Sequence, residues 1–343
     1  MKPSFWRDRN VFVTGATGLL GSWLVRALVG GGASVTILQR DTVPLSNLVL
    51  SGAIGRVNIV HGELEDYFTV LRAINEYEIE SVFHIGAQTI VGTASRAVLS
   101  TFESNIRGTW HVLEACRNCS KLVKRVVVAS SDKAYGSHPR LPYTEDTPLQ
   151  GRFPYDASKS CADLLALSYF ETYRLPVGIT RCGNLYGGGD LNFSRIVPGT
   201  IRSALQGQRP IVRSDGKFVR DYFYVEDAVE AYLDFAEQLD RSELHGQAFN
   251  FGTETPVTVL ELVDHILRVM DARELEPVIL NEASHEIREQ YLDCAKARTV
   301  LGWRARFPTQ TGIERAVEWY REFFRSSSAA LEGAGAPPPS RAR

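Results

Sequence analysis

Ser131, Tyr155 and Lys159 are the residues of this chain whose types and spacing could carry out acid–base chemistry coupled to hydride transfer. Tyr155 and Lys159 lie four positions apart, which puts both side chains on one helix face. An ammonium beside a phenol favours the phenolate, so Lys159 is expected to lower the Tyr155 pKa and equip it to take a hydroxyl proton while hydride leaves the same carbon. Ser131, directly after an apolar run, can hold that hydroxyl. A Tyr-x-x-x-Lys pattern is common on ordinary helices, so it acquires meaning only beside a second site.

The second site is Val11-Phe-Val-Thr-Gly15-Ala-Thr-Gly18-Leu-Leu-Gly21, three glycines at the junction of a strand-like run and a helical one. Gly15 permits the tight turn, Gly18 lets the backbone approach a pyrophosphate, and Gly21 lets helix pack on strand, with N-terminal amides facing the anion. A glycine triplet alone could be a plain turn; the strand before and helix after favour a dinucleotide. The expected contacts are Gly15, Thr17, Gly18, Leu19, Leu20 and Gly21. The next strand ends in Gln39-Arg40-Asp41, with Gln39 where an acid would bind the adenosine ribose. Arg40 suits a 2′-phosphate, whereas Arg40 stacking on adenine with Asp41 on the ribose suits its absence, so NAD and NADP both stay open.

These sites need a scaffold. Val11–Thr14, Ser34–Leu38, Val57–Val60, Ser81–His84, Arg125–Ser130 and Val177–Arg181 are short, β-branched apolar runs suited to strands buried on both faces. They alternate with helical patterns over Leu19–Gly30, Tyr67–Tyr77, Thr101–Cys119 and Tyr155–Tyr173. The expected fold is α/β: a Rossmann-type doubly wound parallel sheet with a smaller C-terminal mixed substrate-binding lobe. Residues 1–183 form the dinucleotide domain, which also receives about 222–253; 184–325 form a discontinuous substrate lobe, with a helix near Pro198–Leu205. Residues 326–343, with Pro337-Pro-Pro339 among Ala, Gly and Ser, are expected to be a mobile tail.

Composition narrows the partners. A formal charge of -2 over 343 residues gives no surplus of lysine and arginine for sequence-independent nucleic-acid binding. No segment approaches the ~20 apolar residues that cross a bilayer, so no membrane partner is expected. Five cysteines, an odd number set in a long chain, suit a reducing compartment, and the cytoplasm is expected. Cys116 and Cys119 lack a second pair to complete a metal site, and no metal is expected.

The order of several motifs resembles the extended short-chain dehydrogenases/reductases, within their nucleotide-sugar 4,6-dehydratase and epimerase family. They are Thr14-Gly-Ala-Thr-Gly-Leu-Leu-Gly21, Phe83-His-Ile-Gly-Ala-Gln88, Asn105, Ser130-Ser-Asp-Lys-Ala-Tyr-Gly136, Tyr155-Asp-Ala-Ser-Lys159, Arg181-Cys-Gly-Asn184 and Leu301-Gly-Trp303. The resemblance covers about Arg9 to Phe324. Gly21-Ser-Trp-Leu24, Asn184-Leu-Tyr-Gly-Gly-Gly-Asp190 and the triplet Ser131-Asp132-Lys133 look most like the CDP-glucose 4,6-dehydratases, whereas Arg220-Asp-Tyr-Phe-Tyr-Val-Glu-Asp227 looks more like epimerases and other dehydratases.

What the resemblance implies is an internal redox reaction on a nucleotide-diphosphate sugar: oxidation at carbon 4, loss of water across carbons 5 and 6, and hydride return to carbon 6, with a tightly held NAD or NADP regenerated each turnover. It implies Asp132 as the acid for the departing hydroxyl and Lys133, in the place of the usual glutamate, as the carbon 5 base; a structural ion pair is the plain alternative. It adds cofactor contacts at Glu63, Leu64, Ala87, Gln88 and Asn105. It places Asn184, Arg195, Arg220 and Arg288, with Ser131, on the substrate, where guanidinium forks suit phosphate. It also implies a homodimer through a four-helix contact of the Thr101–Cys119 and Tyr155–Tyr173 helices. A 4-epimerase would share Ser131, Tyr155 and Lys159 without needing Asp132 or Lys133. A non-catalytic dinucleotide-binding regulator would have no need of the three oxidoreductase residues.

Overall fold

The computed structural model describes residues 3–282 and 286–333. Seven parallel strands form the main sheet: β1 (Asn10–Thr14), β2 (Ser34–Gln39), β3 (Asn58–His61), β4 (Ser81–His84), β5 (Arg125–Ala129), β6 (Val177–Cys182) and, much later in the chain, β10 (Ala248–Phe251). The spatial order runs from Ala248–Phe251 through β6, β5, β4, β1 and β2 to β3. Every residue of β4, β5 and β6 is buried, which is why these runs are mainly apolar and show no in–out alternation. The order reverses between β1 and β4, and crevices at such points collect ligands at the carboxyl ends of strands. Those ends deliver the Gly15 loop, Ile85–Gln88, Ser130–Ser131 and Gly183–Asn184 to one rim.

Helix α1 (Leu19–Gly30) follows β1 directly, and α2 (Tyr67–Glu76), α3 (Gly108–Asn118) and α4 (Pro154–Tyr173) cover the sheet. The helix expected over Thr101–Cys119 is interrupted: Val98–Phe102 leads into a π-helical turn, Glu103–Arg107, before α3 begins. The wide turn contains Asn105, whose amide faces inward, and π-bulges tend to occur where a side chain must be re-aimed. Gly108 follows because a Cβ there would press on the Leu64 side chain.

The smaller sheet joins β7 (Asn184–Tyr186), β9 (Val219–Tyr224), β11 (Pro256–Thr258) and β13 (Glu289–Gln290); β8 (Ile211–Val212) pairs separately with β12 (Val278–Ile279). In register, Asn184 meets Tyr222 and Gln290 meets Arg220. Helices α5 (Ile196–Leu205), α6 (Val225–Gln238) and α7 (Val259–Val269) follow. The final helix, α8, runs Thr309–Gly333, so the stretch expected to be a tail from Ser326 continues as helix to Gly333; residues 334–343 lie outside the described residues. The triplet Gly187–Gly189 is held from two sides. Trp23 on α1 donates Nε1 to the Gly188 carbonyl at 2.7 Å, and Tyr320 on α8 donates its hydroxyl to the carbonyls of Gly187 at 3.2 Å and Asp190 at 2.7 Å. A Cβ on Gly188 would collide with the Trp319 ring.

Candidate active site

A cavity of about 1120 Å³ runs along the strand ends from the glycine loop to the small lobe. At its floor Gly15 adopts φ +72°, and a Cβ on Gly21 would collide with the Gly15 carbonyl oxygen, so loop and helix touch backbone to backbone. Thr14 Oγ1 accepts the amides of Ile85 at 3.1 Å and Gly86 at 3.0 Å, tying the loop to the end of β4. His84 bridges Thr14 and Thr109 at 2.9 Å each, and burial pushes its pKa down to about 3, so it acts as a neutral spacer. Thr17, Gly18, Leu19, Leu20, Arg40, Glu63, Leu64, Ala87 and Gln88 line the same cavity. These residues fit a dinucleotide: a side-chain-free cradle at a helix start for the pyrophosphate, with Arg40 and Asp41 at the far wall. Arg40 Nε pairs with Asp41 at 2.7 Å, both half exposed. Asn105 stands behind the lining. Its Oδ1 accepts from the Gln88 amide at 2.7 Å, and its Nδ2 donates to the Gln88 carbonyl at 3.0 Å and to Ser158 at 2.9 Å. It therefore holds the wall rather than forming it.

Ser131, Lys133, Tyr155, Lys159 and Asn184 meet on the opposite side of the cavity. The Lys159 ammonium, buried, donates to the Ala129 carbonyl at 2.8 Å, and burial lowers its pKa to about 8. The expectation that Lys159 lowers the Tyr155 pKa is corrected here. Burial pushes the Tyr155 phenol above its ordinary value, and the groups that pull it back are Ser131, by a hydrogen bond, and Arg195. The Lys159 ammonium, hydrogen-bonded to the backbone of β5, is not among the main groups that shift Tyr155.

Asp132 is also placed differently from the expectation that it faces substrate. It does not line the cavity and is 1% exposed, beneath Ser131. Ser131 Oγ donates to its Oδ1 at 3.0 Å, and Gln290 Nε2 donates to its Oδ2 at 2.6 Å. Lys133 does face the cavity, donating Nζ to Asn184 Oδ1 at 3.0 Å, with Asp132 3.9 Å away. Asp156, next to Tyr155 and 3% exposed, is pushed up to about 7 by burial, partly offset by Lys133.

The four substrate positions separate. Arg195 reaches across the cavity mouth from Asp190 (2.9 Å) to Thr89 (2.9 Å). Arg220 lines the cavity, but its guanidinium donates to the carbonyls of Val219, Ile287 and Arg288. The Arg288 side chain is 66% exposed, pairs with Asp215 at 3.1 Å, and lies outside the cavity lining. Sequence reasoning missed Gln290, Asp156 and the Thr14–His84–Thr109 bridge. Asp156 stood inside a quoted motif and was detectable; Gln290 sits on a two-residue strand with no local signal.

A family model described as GDP-mannose 4,6 dehydratase matches residues 12–316. The chain belongs to this family. Among curated relatives, the CDP-glucose 4,6-dehydratase of Salmonella typhimurium is 31% identical, covering 94% of this chain and 93% of that protein. A dTDP-glucose 4,6-dehydratase of Streptomyces antibioticus is 32% identical over 91% and 92%. Among solved structures, DesIV, a dTDP-glucose 4,6-dehydratase of Streptomyces venezuelae with NAD and TYD bound, superposes with TM-score 0.83 at 28% identity, covering 91% of this chain and 97% of that one. A UDP-glucose 4-epimerase of Thermotoga maritima with UDP-glucose superposes equally, TM-score 0.83 at 26% identity, covering 92% and 99%. The shared scaffold therefore serves two chemistries, and the side chains beside Ser131 must separate them.

Proposed function

We propose that this protein is a nucleotide-sugar 4,6-dehydratase, converting a nucleotide-diphosphate hexose to its 4-keto-6-deoxy product, with CDP-glucose the favoured substrate. The observation that carries the reading is Lys133: an amine in the cavity wall beside Tyr155 and Asn184, directly after Ser131 and Asp132. An epimerase oxidises carbon 4 and re-reduces it, with no use for a further base; a ketone at carbon 4 acidifies carbon 5, and elimination needs one there.

A nicotinamide dinucleotide held by its pyrophosphate at the glycine loop would supply a hydride acceptor that becomes a donor later in the turnover. Tyr155 takes the carbon 4 hydroxyl proton while Ser131 orients that hydroxyl. Lys133 takes the carbon 5 proton, and Asp132, buried beneath Ser131, supplies a proton to the departing oxygen through the Ser131 hydroxyl. Arg195, across the mouth, suits the diphosphate. NAD rather than NADP is favoured by the Arg40–Asp41 pair, which occupies the guanidinium and adds a carboxylate that would repel a 2′-phosphate. Two separate sheets support a division into a dinucleotide domain and a substrate lobe. Exposed apolar side chains at Leu99, Trp110, Leu164, Leu167 and Tyr173 support a dimer through these helices. Five free cysteines suit the cytoplasm, and among the described residues no helix is long and apolar enough to cross a membrane.

The test is incubation with CDP-, dTDP- and UDP-glucose and GDP-mannose, with NAD or NADP. A 4-keto chromophore in alkali is expected, with CDP-glucose and NAD fastest, and loss of about 10²-fold or more in Tyr155→Phe. An isomeric sugar without the chromophore would make the protein an epimerase.

A further inference from the structure

Gln290 belongs to β13 in the small sheet, yet its side chain ends at Asp132, beside the reaction centre. It has no exposed surface, its Nε2 donates to Asp132 Oδ2 at 2.6 Å, and among the described residues its Oε1 has no hydrogen-bond partner. A buried unpaired amide oxygen is costly, so its retention against a carboxyl calls for a reason. An amide can serve both protonation states: its NH₂ donates to a carboxylate, and after rotation its oxygen accepts from a carboxylic acid.

We propose that Gln290 is a positioning residue for Asp132, capping the carboxyl oxygen that faces away from the cavity so that the Asp132 proton moves only through the Ser131 hydroxyl. This rests on the dehydratase reading. Oxidation breaks the hydroxyl O–H bond at carbon 4 and gives its proton to Tyr155, while the C–H hydride passes to the nicotinamide and later returns to carbon 6. Carbon 5 loses a proton to Lys133 and regains it. The C–O bond at carbon 6 breaks, and the departing oxygen takes one proton to leave as water. Each turnover thus leaves Tyr155 one proton richer and Asp132 one poorer. The Ser131 hydroxyl, which donates to Asp132 Oδ1 and neighbours the Tyr155 phenol, can return it by accepting the Tyr155 proton as it passes its own to Asp132. During elimination the same hydroxyl hands the Asp132 proton outward.

Asp132 needs such a holder because of its neighbours. Around it stand Lys133 on its own turn, Tyr143 from the following loop, Tyr155 and Asp156 on α4, Cys182 at the end of β6 and Asp221 on β9. Two of these are carboxyls, and the Lys133 amine is bound to Asn184.

The test is Gln290→Met, similar in length without a donor, in the cofactor-loaded enzyme. Removing the donor disfavours the charged carboxyl, so the alkaline limb of the kcat profile for keto-sugar formation is expected to move up by about one pH unit, with KM unchanged. Gln290→Glu, which forces two buried carboxyls to share a proton, is expected to move it further. Independently of turnover, the infrared carboxylic-acid band that disappears in Asp132→Asn is expected to persist to higher pH in both variants. A limb and band unmoved in folded variants, with wild-type turnover intact, overturns the proposal. A wild type that forms no keto sugar while the band still shifts overturns the dehydratase reading and upholds the link between Gln290 and Asp132.

Discussion

Replacing Lys159 by methionine removes a buried ammonium while keeping the length of its apolar stem, and the structure sets the expected size of the effect. Burial disfavours the charged form and pushes the Lys159 pKa down from its ordinary 10.5 to about 8. Between those values the unfolded chain holds a proton that the folded chain has released, so this group makes stability rise with pH there. Below pH 8 its full penalty applies, a 2.5-unit difference corresponding to about 3 kcal/mol. Urea unfolding of wild type and Lys159→Met without cofactor, at intervals from pH 7 to pH 9.5, isolates the group, because other titrations cancel in the difference. Wild-type stability is expected to gain about 2 kcal/mol on the variant between pH 8 and pH 9.5. The variant should form no keto sugar. A stability difference flat across that range would refute the claim that Lys159 is held as a desolvated cation.

Other outcomes follow from single contacts. Gly21→Ala drives a methyl into the Gly15 carbonyl, so the thermal shift given by NAD should be lost and stability should fall by about 1–3 kcal/mol or more. Asp163→Ala removes the carboxylate that Arg181 grips with Nε at 2.7 Å and Nη2 at 2.9 Å, leaving a buried guanidinium; urea unfolding should register a loss of about 3–5 kcal/mol. Asp41→Asn frees Arg40 and removes a negative charge, so NADP binding by titration calorimetry should tighten by roughly tenfold, with NAD little changed.

The parallel sheet was legible because its strands are buried on both faces, leaving runs such as Val126–Val128 with no polar interruption. The glycine loop was legible because its composition answers a steric demand within eleven residues. What escaped was long-range. Gln290 reaches Asp132 across 158 positions of chain, from a strand too short for any periodicity. The pairing of Arg288 with Asp215 rather than with the cavity depends on how two loops lie together, which neither segment encodes. The Tyr155 error has a different cause: helix spacing placed Tyr155 and Lys159 on one face, but the β5 carbonyl that captures the lysine belongs to another element. The π-turn at Glu103–Arg107 was hidden because its residues are ordinary helix formers, and the width of the turn is set by what Asn105 holds.

The bracing of Gly187–Gly189 orders the assembly of the protein in time. During synthesis all seven strands of the main sheet have emerged once Phe251 is made, whereas Trp319 and Tyr320 come nearly seventy residues later. A nascent chain can therefore build its dinucleotide cradle while the arm bearing Arg195 is held from the Trp23 side alone and still lacks its brace from α8, so grip on a sugar nucleotide should mature after grip on the coenzyme.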